Sequence, residues 1–243
     1  MRFAVISDIH GNIHALEAVD KDLKSNHVDR IYCLGDIINF GAHPKECLDW
    51  VKDRCDIVIK GEHDIFVADP EEVFLTNPYA IQSADWTYDQ LSQEDFNYIN
   101  SLENFYEEED FILTHDEPSI PGTYHFLTSI RDAKETFTCF ENRFCFYGHA
   151  HLNILFVKDT DGNVFNEGSG FFKIQNGQQF LICAGSVGQP RDRDPRAGYV
   201  IVDTDKGTIQ FRRVKYDVEK AASDIKNAGL PEVFAQILMM KKD

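Results

Sequence analysis

Residues 2–36 read RFAVISDIHGNIHALEAVDKDLKSNHVDRIYCLGD, and the architecture can be worked out from this stretch. RFAVIS is a short apolar run ending in polar residues, as a buried strand would be. Over 14–24, Leu16, Val19 and Leu23 fall on one helical face. RIYCLG is a second buried strand. Pro44 then opens a helix running to about Arg54, and DIVIK follows as a third strand. This β-α-β-α-β order implies parallel strands joined by crossover helices.

The pattern changes twice further on. Residues 66–108 read as a helical insertion with acidic edges, and Ser92-Gln-Glu-Asp95 is a helix-start signal. Strands return at FILT (111–114) and FCFYG (144–148), with a Pro- and Gly-containing loop and a helix near 130–140 between them. From residue 152, NILFVK, QFLICA, GYVIVD and IQFRRV are strand-like. Asp161-Gly162, Asn176-Gly177 and Lys206-Gly207 mark turns, so this half reads as mainly antiparallel. Val218, Ala221, Ala222 and Ile225 share a helical face. Gly229 stops that helix and Pro231 starts another.

Composition narrows the function classes. The chain has 243 residues, 43% of them hydrophobic, enough for a sizeable core. Its 41 acidic and 24 basic residues give a net charge of −17, which argues against binding a nucleic-acid duplex. A small phosphate substrate stays open, because a metal's local charge can outweigh the global field. The first apolar run is too short for a signal sequence or a membrane span. The six cysteines lack C-x-x-C spacing and read as reduced, mostly buried thiols, so a cytoplasmic location is expected.

The chemistry gathers at strand ends. Asp8 follows AVIS, Asp36 follows IYCLG, Glu62 follows IVIKG, His115 follows FILT and His149 follows FCFYG. In open α/β sheets the carboxyl ends of the strands form the ligand-binding edge. Five strands therefore deliver donors to one rim, and His10 and His151 each add another two residues on. Mixed carboxylate and imidazole donors suit Mn, Fe, Zn or Ni. Two histidine pairs with a shared carboxylate point to two ions.

The segments Asp8-Ile-His10, Gly35-Asp36, Gly61-Glu62-His63-Asp64, His115 and Gly148-His149-Ala150-His151 resemble the signature of the calcineurin-like metallophosphoesterases. The resemblance continues through Gly185–Asp192 and Asp194–Tyr199, as in the small bacterial and archaeal phosphodiesterases and the similar diadenosine tetraphosphate hydrolases. It implies a four-layer α/β/β/α sandwich of two mixed sheets with flanking helices, in a single domain over 1–243. It also implies hydrolysis of a small, nucleotide-like phosphoester by a metal-bridging hydroxide. Asp8, His10 and His151 would hold the first metal and His115 and His149 the second, with Asp36 bridging. Manganese is the leading choice. His63 would protonate the leaving oxygen, and Asp64 would orient His63. Other readings are a metal- or nucleotide-binding member with impaired catalysis, and a protein phosphatase.

One position departs from the pattern. Relatives carry asparagine where this chain has Glu62. A carboxylate can still ligate, but it adds a charge worth roughly 4 kcal/mol at about 4 Å and an effective dielectric near 20. It should tighten the second metal, raise the pKa of the attacking water and weaken phosphate binding. Alternatively it turns aside and water takes its place. Asp116 is a milder departure, where relatives carry glycine; it either accepts from an imidazole or faces solvent. Arg191 and Gln189 are expected at the substrate, as is Asn12, which can equally cap the helix at 14–24. His14 is expected to face solvent. His27, His43 and His125 read as surface or loop residues, and Trp86 and Tyr88 read as packing in the insertion or roofing the site.

Overall fold

The computed structural model describes residues 1–69, 71 and 77–240. Strands β1 (Arg2–Ile6), β2 (Arg30–Cys33) and β3 (Ile57–Val58) are parallel, joined by helices α1 (Ile13–Ser25) and α2 (Pro44–Arg54). Side chains alternate across β1 because a strand's period is two. Phe3 and Val5 enter one buried layer, whereas Ala4 and Ile6 pack in another with Leu16, Val19 and Leu23 of α1.

Helix α3 (Glu62–Ala68) begins at Glu62 itself, and α4 (Pro78–Tyr88) and α5 (Gln93–Ser101) follow. Ser92 and Asp95 form the expected reciprocal cap of α5. The expected insertion at 66–108 includes residues 70 and 72–76, which lie outside the described residues. Its end is not helical. Phe105–Glu107 forms strand β4, antiparallel to β5 (Phe111–Thr114), because that pairing satisfies its backbone groups.

After α6 (Ile130–Thr136) come β6 (Phe144–Tyr147), β7 (Asn153–Lys158), β8 (Val164–Gly168), β9 (Phe171–Lys173), β10 (Gln179–Ala184), β11 (Ala197–Asp203) and β12 (Thr208–Val214). Helices α7 (Val218–Asn227) and α8 (Glu232–Leu238) end the described chain. The strands form two six-stranded mixed sheets, ordered β3-β2-β1-β11-β12-β9 and β4-β5-β6-β10-β7-β8. The second half is not purely antiparallel, since β10 lies parallel to β6. Phe3, Val5, Phe111, Phe146, Ile182 and Val200 fill the layer between the sheets. α1 and α2 cover the first sheet and α6 covers the second, giving the expected α/β/β/α order. The parallel strands of both sheets open onto one edge. No helix of the described residues is long and apolar enough to cross a membrane.

Four of the cysteines are buried, Cys55 is half-buried and Cys139 is exposed; all six are unpaired.

Candidate metal centre

The residues that follow β1, β2 and β6 leave their strands through left-handed turns. Asp8 has φ 53°, His10 48°, Asp36 52°, His149 59° and His151 56°. Such backbone costs about 1–3 kcal/mol per non-glycine residue and persists only where surrounding contacts enforce it. Here they do. Asp8 N–H donates to Gly35 O at 3.0 Å and His10 N–H to Asp36 O at 2.9 Å, while His149 N–H donates to Asp8 Oδ2 at 3.1 Å. Glycines leave the room. A Cβ on Gly61 would stand 2.2 Å from Asp36 Oδ1, and one on Gly148 2.0 Å from Ser7 Oγ.

Two donor clusters result. Asp8, His10, Asp36 and His151 form one, and Asp36, His115 and His149 the other, all buried. Asp36 belongs to both through a single oxygen. Its Oδ2 is 3.6 Å from His10 Nε2 and 3.3 Å from His115 Nε2. Its Oδ1 accepts from His63 N–H at 2.8 Å, which leaves Oδ2 towards both clusters. His10 and His151 bring their Nε2 atoms within 3.2 Å, and His151 Nε2 is 3.2 Å from Asp8 Oδ1.

The outer ring nitrogens set the inner ones. His115 Nδ1 donates to Leu34 O at 2.7 Å, His151 Nδ1 to Gln189 O at 2.5 Å, and His149 Nε2 to Tyr124 O at 3.0 Å. His10 Nδ1 faces Ile38 O at 3.4 Å. Each ring is thus held by a backbone carbonyl and turns its other nitrogen inward, as metal-bound imidazoles do. Asp8 Oδ1 and His115 Nε2 are buried without a hydrogen-bond partner. Each belongs to one of the two clusters, and a buried polar atom left in this way fits a cation in its own cluster.

Electrostatics fit as well. Burial would raise the Asp8 and Asp36 carboxyls, but the neighbouring histidines hold both well below the usual range. Burial alone would lower His115, yet Asp36 lifts it well above an ordinary imidazole. Burial holds His63 and His149 down at about 4. Glu62 Oε2 lies 3.7 Å from His149 Nδ1, at the edge of the second cluster and outside its tight donor set. Burial, reinforced by Asp36, pushes the Glu62 carboxyl up to about 7.

Several sequence expectations are corrected. Asp64 does not orient His63. Its Oδ1 accepts from Ile37 and Ile38 N–H and its Oδ2 from Gly61 N–H, so it braces the Asp36 loop. Asn39 touches His63 instead. Its Oδ1 accepts from Phe40 N–H, so its Nδ2 donates to His63 Nδ1 at 2.9 Å. Asn12 takes up the capping role that the sequence left open beside a substrate contact. Its Oδ1 accepts from Ala15 N–H, and its Nδ2 donates to Gly188 O and Tyr216 OH. Gln189 reaches Arg191, whose Nη2 donates to its Oε1 at 3.3 Å. Asp116 is buried and accepts from Gly122 and Tyr124 N–H, shaping the loop that carries His149's carbonyl partner. His14 does not face solvent, for its side chain is 12% exposed and bonded to Asp224. Trp86 packs against the α7–α8 layer, and Tyr88 stacks on Phe96.

Sequence reasoning did not single out Asn39, Phe40 or Phe126. The Phe126 ring stacks on His149 with centroids 4.5 Å apart, and it is 50% exposed. Asp36, Phe40, Glu62, His63, Phe126 and Arg191 line an open cleft of 350 Å³ over the clusters.

A rim of buried carboxylates and imidazoles at the shared edge of two sheets defines a metal-assisted hydrolase, and the four-layer sandwich is that of the metallophosphoesterases. The calcineurin-like phosphoesterase superfamily domain matches residues 1–207. An uncharacterized protein of Methanocaldococcus jannaschii is 34% identical over 98% of this chain and 97% of its own length. A metallophosphoesterase from Sphaerobacter thermophilus superposes with a TM-score of 0.87 at 33% identity, covering 99% of this chain and 98% of that one. A hypothetical protein from Pyrococcus horikoshii shares the fold, with a TM-score of 0.81 at 19% identity over 100% and 99% of the two chains. The chain belongs to the calcineurin-like phosphoesterase superfamily, and it is a metal-dependent hydrolase of phosphoester bonds.

Proposed function

We propose that the protein hydrolyses a small, nucleotide-like phosphodiester or phosphomonoester at a centre of two divalent transition-metal ions, manganese first and iron, zinc or nickel next. One observation carries this reading: two buried donor clusters share Asp36 Oδ2, with Asp8 Oδ1 and His115 Nε2 left unpartnered. Asp8, His10, Asp36 and His151 would hold one ion, and Asp36, His115 and His149 the other, with Glu62 beside it. Ions bound there supply Lewis acidity and lower the pKa of coordinated water. The whole chain would act as one phosphoesterase domain, and unpaired cysteines suit the cytoplasm.

The chain's own groups supply the rest. His63 is neutral near pH 7, because burial holds it at about 4. Its Nδ1 accepts from Asn39, so Nε2 carries the proton. A neutral imidazole so held would keep its proton and donate a hydrogen bond to the leaving oxygen as negative charge develops there. Arg191 at the cleft mouth attracts the anion. The exposed Phe126 ring beside the centre offers a stacking face, which favours a substrate with a flat apolar group such as a base.

The position of Glu62 against His149 favours a slowed enzyme over a silent one. Its charge strengthens the second metal position and opposes the approaching phosphate. To test the reading, metal-stripped protein is reloaded with Mn²⁺, bound ions are counted and turnover of bis-p-nitrophenyl phosphate is measured. We expect two ions per chain, metal-dependent turnover and a several-fold faster Glu62→Asn variant. Two ions with no turnover in either form would overturn the enzymatic reading. Equal rates in the two forms would overturn the role given to Glu62.

A further inference from the structure

Three side chains from three helical elements meet at a point that shares no residue with the metal centre. His14 lies in the first turn of α1, His43 caps α2, and Asp224 belongs to α7. His14 Nε2 is 2.7 Å and His43 Nε2 3.0 Å from the same oxygen, Asp224 Oδ2. The two rings stand edge to face with centroids 5.4 Å apart. The three side chains are 12%, 28% and 27% exposed, so the cluster is sheltered yet open to water.

We propose that this cluster is a separate metal site that takes one zinc-class divalent ion on His14 Nε2, His43 Nε2 and the Asp224 carboxylate, with water completing the shell. Four points support it. Two imidazoles and a carboxylate are a standard donor set for zinc, and three protein ligands plus solvent match its preference for four. The donor atoms all lie within 4.8 Å of one another. Zinc bonds of about 2.0–2.1 Å in a tetrahedron place donors roughly 3.3 Å apart, so the present 2.7 and 3.0 Å separations need only open slightly. His43 also has the outer support that metal-bound imidazoles commonly have: its Nδ1 lies 3.5 Å from Glu46 Oε1.

The placement gives the ion a structural task. It would fasten α7, and with it the C-terminal helical layer, to the starts of α1 and α2. His43 N–H donates to Gly11 O at 3.0 Å, so the fastening point adjoins the turn that carries His10. The site is a clamp on the fold and takes no part in the hydrolysis, so it stands apart from the function proposed above.

Asp224→Asn keeps the side chain's shape and hydrogen bonding but removes the ligating charge. Metal-stripped wild type and this variant are titrated with Zn²⁺ at pH 7.5, bound zinc is counted after desalting, and thermal unfolding is followed. We expect the wild type to carry one more equivalent per chain and to gain several degrees more in Tm from zinc. Mn²⁺-supported turnover should be the same in both. Equal zinc counts with equal Tm gains would overturn the site and leave a hydrogen-bonded cluster. A second measurement needs no variant: wild-type crystals soaked in Zn²⁺ should show anomalous density between His14, His43 and Asp224, and density confined to the Asp36 centre would overturn the proposal.

Discussion

Glu62 stands in the first turn of α3, where a helix end favours a carboxylate, yet its pKa is pushed up to about 7 by burial and the Asp36 charge. In an unfolded chain the same group titrates near 4.5. Below pH 4.5 it is neutral in both states and contributes no difference. As pH rises towards 7 the unfolded chain releases the proton first, so the metal-free fold loses stability. Above 7 the loss is complete, on the order of 3 kcal/mol. Metal-free Glu62→Gln should therefore unfold at higher denaturant than the wild type at pH 8 and at the same point at pH 4. A gap of equal size at both pH values would refute this. The sequence made the metal donors legible because each follows a strand. Asn39 was hidden, since its contact with His63 depends on a left-handed backbone (φ 71°) and on a loop braced by Asp64. Asp64 was misread for the same reason: adjacency in sequence suggested a partner that the start of a helix turns away.

At the scale of elements, Asn12 shows how one side chain joins two of them. It caps α1 and also ties that helix to Gly188 in the loop after β10. Losing a cap costs about 1 kcal/mol, and the bond to a buried carbonyl adds about as much again. Asn12→Ala should lower stability by about 2 kcal/mol in urea unfolding while KM for a phosphodiester changes less than twofold. A large rise in KM with unchanged stability would restore Asn12 to the substrate site. The long apolar strands and the capped helices were legible because their periods and end residues act locally. Strands β3, β4, β8 and β9 were not, or were misjudged in extent, because runs of two to five residues gain their structure from a neighbouring strand rather than from their own pattern.

Over the whole molecule, the continuous apolar run of β1 foretold a buried strand, but it could not say that β11 would pair with it or that β10 would join β6. Those partners lie far off in sequence, and only the closing of the two sheets selects them. The same closure brings the C-terminal layer to the metal centre through Phe40. Its ring lies 4.6 Å from His10, 4.4 Å from His63 and 4.4 Å from Phe234 of α8, centroid to centroid. Phe40 is 5% exposed and Phe234 3%, so both are core residues, but only Phe40 walls the two histidines. Replacing either by leucine removes ring contacts of similar extent and should lower stability by about 1–2 kcal/mol. If the layer merely shields the core, the two variants will lose activity alike. If Phe40 holds His63 in place against Asn39, Phe40→Leu will lower kcat about tenfold with KM little changed, and Phe234→Leu will leave kcat near the wild-type value. The packing geometry favours the second outcome, because His63 has Phe40 against its ring and Asn39 at its Nδ1, and removing the ring leaves the proton-bearing nitrogen free to swing.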